Sequence, residues 1–146
     1  METQLSPVSS EKKNKLDFKN SKYATGRRKK SIARVWLKKG SGNMYVNGKK
    51  MIDYFQKPNL QVAIFRPLTV VKRENEFDVR CSVKGGGLSG QAGAVRMGLA
   101  RAMVSHNEEN FLALRSGGFL TRDSRMSERK KPGLHGARRG SQFSKR

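Results

Sequence analysis

Cysteine is nearly absent from this chain: Cys81 stands alone, so no disulfide framework can form, and the composition suits a reducing compartment. Histidine is almost as scarce. His106 and His135 lie far from Cys81 and from each other in sequence, with none of the paired spacings of a zinc site, which argues against a structural metal. Long hydrophobic runs are missing as well. The longest, such as residues 62–65, are about four residues, against the roughly 20 needed to span a bilayer, so no transmembrane segment is expected. The start, Met1-Glu2-Thr3, has no basic opening and no apolar stretch behind it, and does not read as a secretory signal. Nor is there a nucleophile paired with a base. Asp53, Glu74, Glu76, Asp78, Glu108 and Glu109 sit in charge-mixed or helix-flanking contexts, and both histidines read as side chains on the surface or beside a bound partner. No enzyme, cofactor or small-molecule substrate is expected.

What the chain has in excess is positive charge. Its 146 residues include 32 Lys and Arg against 11 Asp and Glu, a formal charge of +21 at pH 7, whose self-repulsion calls for a large anionic partner. The charge is unevenly spread. Residues 26–50 hold nine basic and no acidic side chains, and residues 122–146 hold nine and two, whereas residues 51–121 hold nine and six. The pattern is a nearly ordinary domain carrying two basic arms, with nucleic acid the expected partner.

Residues 1–21 have few apolar side chains and no period, so they read as a disordered extension. Residues 22–121 carry the folded domain. Residues 31–37 form a strand with Ala33, Val35 and Leu37 on one face and Ile32, Arg34 and Trp36 on the other. Gly40-Ser41-Gly42-Asn43 is a turn, from which Met44-Tyr45-Val46 is expected to return as the second strand of a hairpin; Asn47-Gly48 is a further turn. An Asn59-capped helix is expected to run to Ile64 or Phe65 and end at Pro67. The clearest strand is residues 77–84, where Phe77, Val79, Cys81 and Val83 alternate with polar neighbours, which puts Cys81 in the core. Residues 89–105 place Ala92, Val95, Leu99, Ala102 and Met103 at helical spacing, and residues 108–114 form a second helix ending at Gly117-Gly118. Beyond Arg122 the apolar period stops. Residues 122–146 are expected to be an extended tail that could span about 80 Å.

Gly85-Gly86-Gly87-Leu88-Ser89-Gly90 formally fits the dinucleotide fingerprint G-x-G-x-x-G. That fold needs a doubly wound parallel sheet whose strands are buried on both faces, and the half-wet strand before these glycines argues against it. Gly85, Gly86, Gly87, Ser89 and Gly90 instead read as a tight strand-to-helix junction that can also face a nucleic-acid phosphate. The run Arg27, Arg28, Lys29 and Lys30, with Arg34 and Lys38 beyond it next to Trp36, reads as nucleic-acid contact, since Arg can grip phosphate bidentately and Lys acts as a point charge. The tail repeats the theme with Arg122, Arg125, Arg129-Lys130-Lys131 and Arg138-Arg139 spaced by Gly and Pro, a pattern suited to threading through folded RNA. A general nucleic-acid chaperone or compacting protein shares these electrostatics, and a nucleotide-dependent enzyme is the third class weighed.

Six motifs together give the chain a family likeness from Tyr23 to Arg146. They are Thr25-Gly26-Arg27-Arg28-Lys29, Val83-Lys84-Gly85-Gly86-Gly87, Ser89-Gly90-Gln91-Ala92-Gly93-Ala94, Gly118-Phe119-Leu120-Thr121-Arg122-Asp123, Glu128-Arg129-Lys130-Lys131 and Gln142-Phe143-Ser144-Lys145-Arg146. On these the chain resembles the bacterial-type small-subunit ribosomal protein S-nine family. The resemblance implies an α+β domain with helices on one side of a sheet of about four strands, like the second domain of ribosomal protein S-five. It also implies a place in the head of the small subunit, with Arg27 to Lys30 on rRNA among neighbouring head proteins. By the same resemblance Ser144, Lys145 and Arg146 would face the anticodon stem-loop of the peptidyl-site tRNA. Residence on cytoplasmic ribosomes follows, and the partial acidity of the leader favours a bacterial over an organellar source.

Overall fold

In the computed structural model, residues 19–144 are described. Most of the expected disordered leader, residues 1–18, lies outside them, as do Lys145 and Arg146. The chain builds one five-stranded sheet in the order β1-β2-β5-β3-β4. Its strands are β1 Lys22–Arg28, β2 Ser31–Lys39, β3 Met44–Val46, β4 Lys49–Lys50 and β5 Phe77–Lys84. Neighbours are antiparallel except β3 and β5, which are parallel. The helices are α1 Met51–Tyr54, α2 Pro58–Val71, α3 Leu88–His106 and α4 Asn110–Ser116. They cover one side of the sheet, the α+β arrangement expected, with the two-residue β4 added to the four longer strands.

The alternation in β2 and β5 sets the core. Leu37 faces Val79, Val35 faces Cys81 and Ala33 faces Val83, all buried, so three cross-strand pairs of apolar side chains floor the helical layer. Burial pushes the Cys81 thiol up to about 12. α3 lies over β1 and β2, with Val95, Leu99, Ala102 and Met103 fully buried, and is flanked by Ile64 and Leu68 of α2 and by Leu114 of α4. Each such Val or Leu contributes about 1.5–3 kcal/mol through burial.

β1 is a strand that the sequence pattern does not announce. Its inward residues, set by the pairing of Ala24 with Val35 and of Gly26 with Ala33, are too small to give an apolar alternation. The reason is the closeness of α3: a Cβ on Gly26 would run into Ala94 O and Gly98 N, and one on Gly98 would come within 2.7 Å of Val35 Cγ2. Only glycines let helix and sheet meet at that distance.

Three local expectations are corrected. Met44 to Val46 does not return beside β2 as a hairpin. Gly40 to Asn43 carries the chain past the end of β5, with Asp78 Oδ1 accepting from Ser41 N (3.0 Å) and Asn43 N (2.9 Å) and Val79 N donating to Asn43 O (2.8 Å). β3 therefore lies along the far edge of β5. Asn47 clamps it there, its Oδ1 accepting from Val83 N (2.8 Å) and its Nδ2 donating to Val83 O (3.1 Å). With Gly48 it makes the tight β3–β4 turn, both residues having positive φ.

The second correction concerns α2, which starts with Pro58 after Lys57, not at an Asn59 cap, and runs through Pro67. Pro67 forfeits one backbone donor, but it is buried with Ile64 and Leu68, and that packing outweighs the lost bond. The helix ends at left-handed Lys72, with Arg73 N donating to Leu68 O (3.1 Å). Third, α4 begins at Asn110, two residues later than expected, because Asn107 Oδ1 holds Glu109 N (3.2 Å) in a turn first. Among the described residues no helix is long and apolar enough to cross a membrane.

Candidate nucleic-acid interface

The basic run at residues 27–30 is the β1–β2 turn. Lys29 takes a positive φ there, and Arg28 pairs with Ser31 across the ladder. Strand geometry separates the run's side chains. Arg27, opposite Ile32, points to the open side of the sheet, while Arg28 points toward α3 and lies against Gly93, where a Cβ would meet its side chain. Arg28 Nη2 then reaches Asp123 Oδ2 at 3.5 Å. Arg28 thus pins the root of the tail, and Lys29 and Lys30 are left exposed at the tip.

The glycine turn sits beside that tip. Gly85 and Gly86 have positive φ, and a Cβ on Gly85 would lie 2.6 Å from Lys30 O. Ser31 fills the space their missing side chains leave. Its Oγ donates to Gly85 O (3.0 Å), which also accepts from Gln91 Nε2 (3.1 Å), while Tyr54 OH donates to Gln91 Oε1 (2.8 Å). Gly90 is buried against the same Ser31 Oγ. These contacts weld β5, α3 and the β1–β2 turn together, the tight junction anticipated from the sequence. Gly87 is different: it is exposed, a Cβ there would meet nothing within 4 Å, and it begins α3 without a side-chain cap. The first-turn N–H groups of α3, including that of exposed Ser89, are left for an outside acceptor.

Between these parts runs an open groove of about 570 Å³, lined by Lys29, Lys30, Gly86, Gly87 and Gly90 on one wall and by Met126 to Arg129 on the other. The fold therefore brings Lys29, Lys30, the glycine turn and Arg129 together. It does not bring Arg34 and Lys38 there; both lie on the open side of β2.

The tail leaves the domain at Phe119, which is buried with the Arg96 guanidinium 5.7 Å from its ring centre. Burial, and then the neighbouring Arg28 and Arg66, pull the Arg96 pKa down from its ordinary value. From there both tail carboxylates serve as internal ties. Asp123 is gripped by Arg125 (2.7 Å), and the hydrogen bonds from Arg125, followed by the charge of Arg28, hold its carboxyl well below the usual range. Glu128 takes Lys131 (3.0 Å) and Arg138 (2.9 Å), which lower its pKa likewise. The second grip folds residues 131–139 into a compact turn, closed by His135 N donating to Arg139 O (2.9 Å). The tail thus carries a turn over residues 131–139, where Pro132, Gly133 and Gly136 fall. Arg122, Arg129, Lys130 and Arg139 project from it exposed, as does Ser144; Lys145 and Arg146 lie outside the described residues.

The histidines divide. His135 is exposed in the tail turn, but His106 is half-buried, its ring edge-on to Phe77 at 5.1 Å, and burial followed by nearby Lys39 and Arg73 lowers its pKa. Arg66, Arg80 and Arg96 stand singly in strand or helix and belong to no basic run; the alternation of β5 is the sequence signal for Arg80. A model of the family described as ribosomal protein S9/S16 matches residues 26–146, which takes in the β1–β2 turn, the glycine turn and the whole tail.

Proposed function

The chain belongs to the ribosomal protein S9/S16 family, and from that premise we propose that it is a structural protein of the small subunit, with its domain docked on rRNA in the head. The observation that carries this is the shared groove. Lys29, Lys30 and Arg129 converge there on the uncapped start of α3, so an RNA phosphate entering it meets three cations and open N–H donors at once. Gly85, Gly86, Gly87, Ser89 and Gly90 supply the narrow backbone that admits it. Arg27, Arg34 and Lys38 would meet RNA on a second side, and Arg122, Arg125, Lys130, Lys131, Arg138 and Arg139 along the tail's path.

The tail's end, Ser144, Lys145 and Arg146, would reach the anticodon stem-loop of the peptidyl-site tRNA, with neighbouring head proteins around the domain. The role is contact and support during translation on cytoplasmic ribosomes rather than catalysis. If about six phosphates are neutralised, affinity for the RNA falls by roughly a thousandfold between 50 and 200 mM salt.

The test is sedimentation of a lysate at high salt, with and without nuclease. Co-migration with washed small subunits, lost when their RNA is digested, supports this function. Migration with chromosomal DNA, or equal competition by duplex DNA and unrelated RNA, supports a general chaperone or compacting protein. Deleting Ser144 to Arg146 should leave assembly intact and weaken tRNA retention, and loss of assembly would overturn that division of labour.

A further inference from the structure

All the helices lie on one side of the sheet, and the side chains on its other face do not resemble a merely solvated surface. Strand register aligns Tyr23 with Trp36, Trp36 with Arg80, Arg80 with Tyr45 and Tyr45 with Lys50. One row of aromatic and basic side chains thus crosses all five strands, about 19 Å at ordinary strand spacing. The rings are in contact: Tyr23 and Trp36 lie 5.4 Å apart, tilted by 44°, and the Arg34 and Arg80 guanidinium groups stand 5.4 and 5.8 Å from the Trp36 ring centre. Tyr23 is 49% exposed, and Ile32 on the same face is 44% exposed.

The charge of this face is one-sided. Arg27, Arg34, Lys38, Arg80 and Lys84 all belong to it by register, and its acidic member, Asp78, is occupied by Ser41 N and Asn43 N of the adjoining loop. Rings shielded by guanidinium groups would be enough to keep a half-buried tryptophan soluble. That role does not require three aromatic positions in one row with cations on both flanks. Bases present π-faces to aromatic rings and guanidinium planes while their phosphates seek cations, and a row of this length accommodates two or three bases.

We propose that this open face, centred on Trp36, is a stacking platform for unpaired RNA bases, separate from the phosphate groove at the β1–β2 turn. The proposal rests on the RNA-binding role given above and adds what that surface recognises: a single-stranded segment rather than a duplex, with Arg34 and Arg80 either parting from the ring or lying on the base themselves.

Trp36 is the single tryptophan, so its fluorescence reports on the site directly. The full chain is titrated with an eight-nucleotide oligouridylate and, separately, with inorganic polyphosphate of equal charge, which has no bases. Saturable quenching by the oligonucleotide but not by polyphosphate is expected. Read by the anisotropy of an end-labelled oligonucleotide, since these variants have no tryptophan, Trp36→Leu should weaken binding about tenfold and Trp36→Phe should retain most of it. Equal quenching by polyphosphate, no quenching by the oligonucleotide, or wild-type affinity in Trp36→Leu would overturn the proposal. Binding of the same samples to washed small-subunit RNA separates the two claims. If it persists while the oligonucleotide fails, only the platform falls; if it is absent, the RNA-binding role falls with it.

Discussion

Residues 26–50 and 122–146 carry nearly the same surplus of charge, +9 and +7, yet they hold it in opposite ways. The first segment is knitted into the sheet over β2 and its neighbours, so its cations have directions: Arg27 to one side, Arg28 to the other, Lys29 and Lys30 at a tip. The second has no helix or strand among its described residues and takes its shape from two carboxylates, Asp123 and Glu128, each holding two cations. Composition alone makes the two arms equivalent. The difference is that one presents charge from paired strands, whereas the other presents it from turns held by ion pairs.

The strongest way to break that comparison is to crowd each arm. Gly26→Val puts side-chain atoms into Ala94 O and Gly98 N and should cost about 3 kcal/mol in urea unfolding. Gly140→Val in the tail, where a Cβ meets nothing within 4 Å, should leave the midpoint unchanged. Similar losses at both would show that the tail is as packed as the domain. Next in size is the salt dependence of RNA binding. Replacing Arg27 and Lys30 with alanine should flatten the log–log slope by about two and leave the melting temperature alone, since both are exposed. A lowered melting temperature would mean that the run is structural.

Cys81 sharpens the contrast from the domain side. Its thiol stays neutral to about pH 12 when folded, while an unfolded thiol ionises near 9. Its contribution to stability is therefore complete below pH 9 and lost as pH rises from 9 toward 12. Cys81→Val should remove that part of the alkaline decline, and a thiol reagent at pH 8 should react only on unfolding. The smallest effect belongs to Asp123→Asn, which releases Arg28 and Arg125. Amides at the tail root should exchange faster while those of α3 stay protected. Because the Asp123 carboxyl is held below its ordinary range, the tie contributes fully above that range and is lost as pH falls below it toward the depressed folded value.

How much of this was legible depends on how local the signal is. β5, the inward face of β2, α3 and the buried Cys81 follow from alternation or helical spacing within a few residues. β1 is invisible in sequence because Ala24 and Gly26 are small for the sake of a helix some 70 residues further on, which leaves charge as the segment's only signal. The partner of β3 is hidden for a related reason. A hairpin is the nearest solution, but Asn47 and Asp78 route the chain to β5 through contacts between residues more than 30 apart. Pro67 reads as a stop in sequence because its burial with Ile64 and Leu68 is not a local property. For the site, the basic run and the glycine turn were found, but not their meeting with Arg129 in one groove, nor the row from Tyr23 to Lys50, which exists only once five strands are in register.

On the proposed function, the folded domain selects RNA and the tail adds affinity. The direct test compares the intact chain with one ended at Thr121, measuring binding to small-subunit rRNA and to unrelated RNA across a salt series. The shortened chain should still prefer small-subunit rRNA, with lower affinity and a shallower slope. A shortened chain that binds both RNAs alike, while the intact chain discriminates, would contradict it.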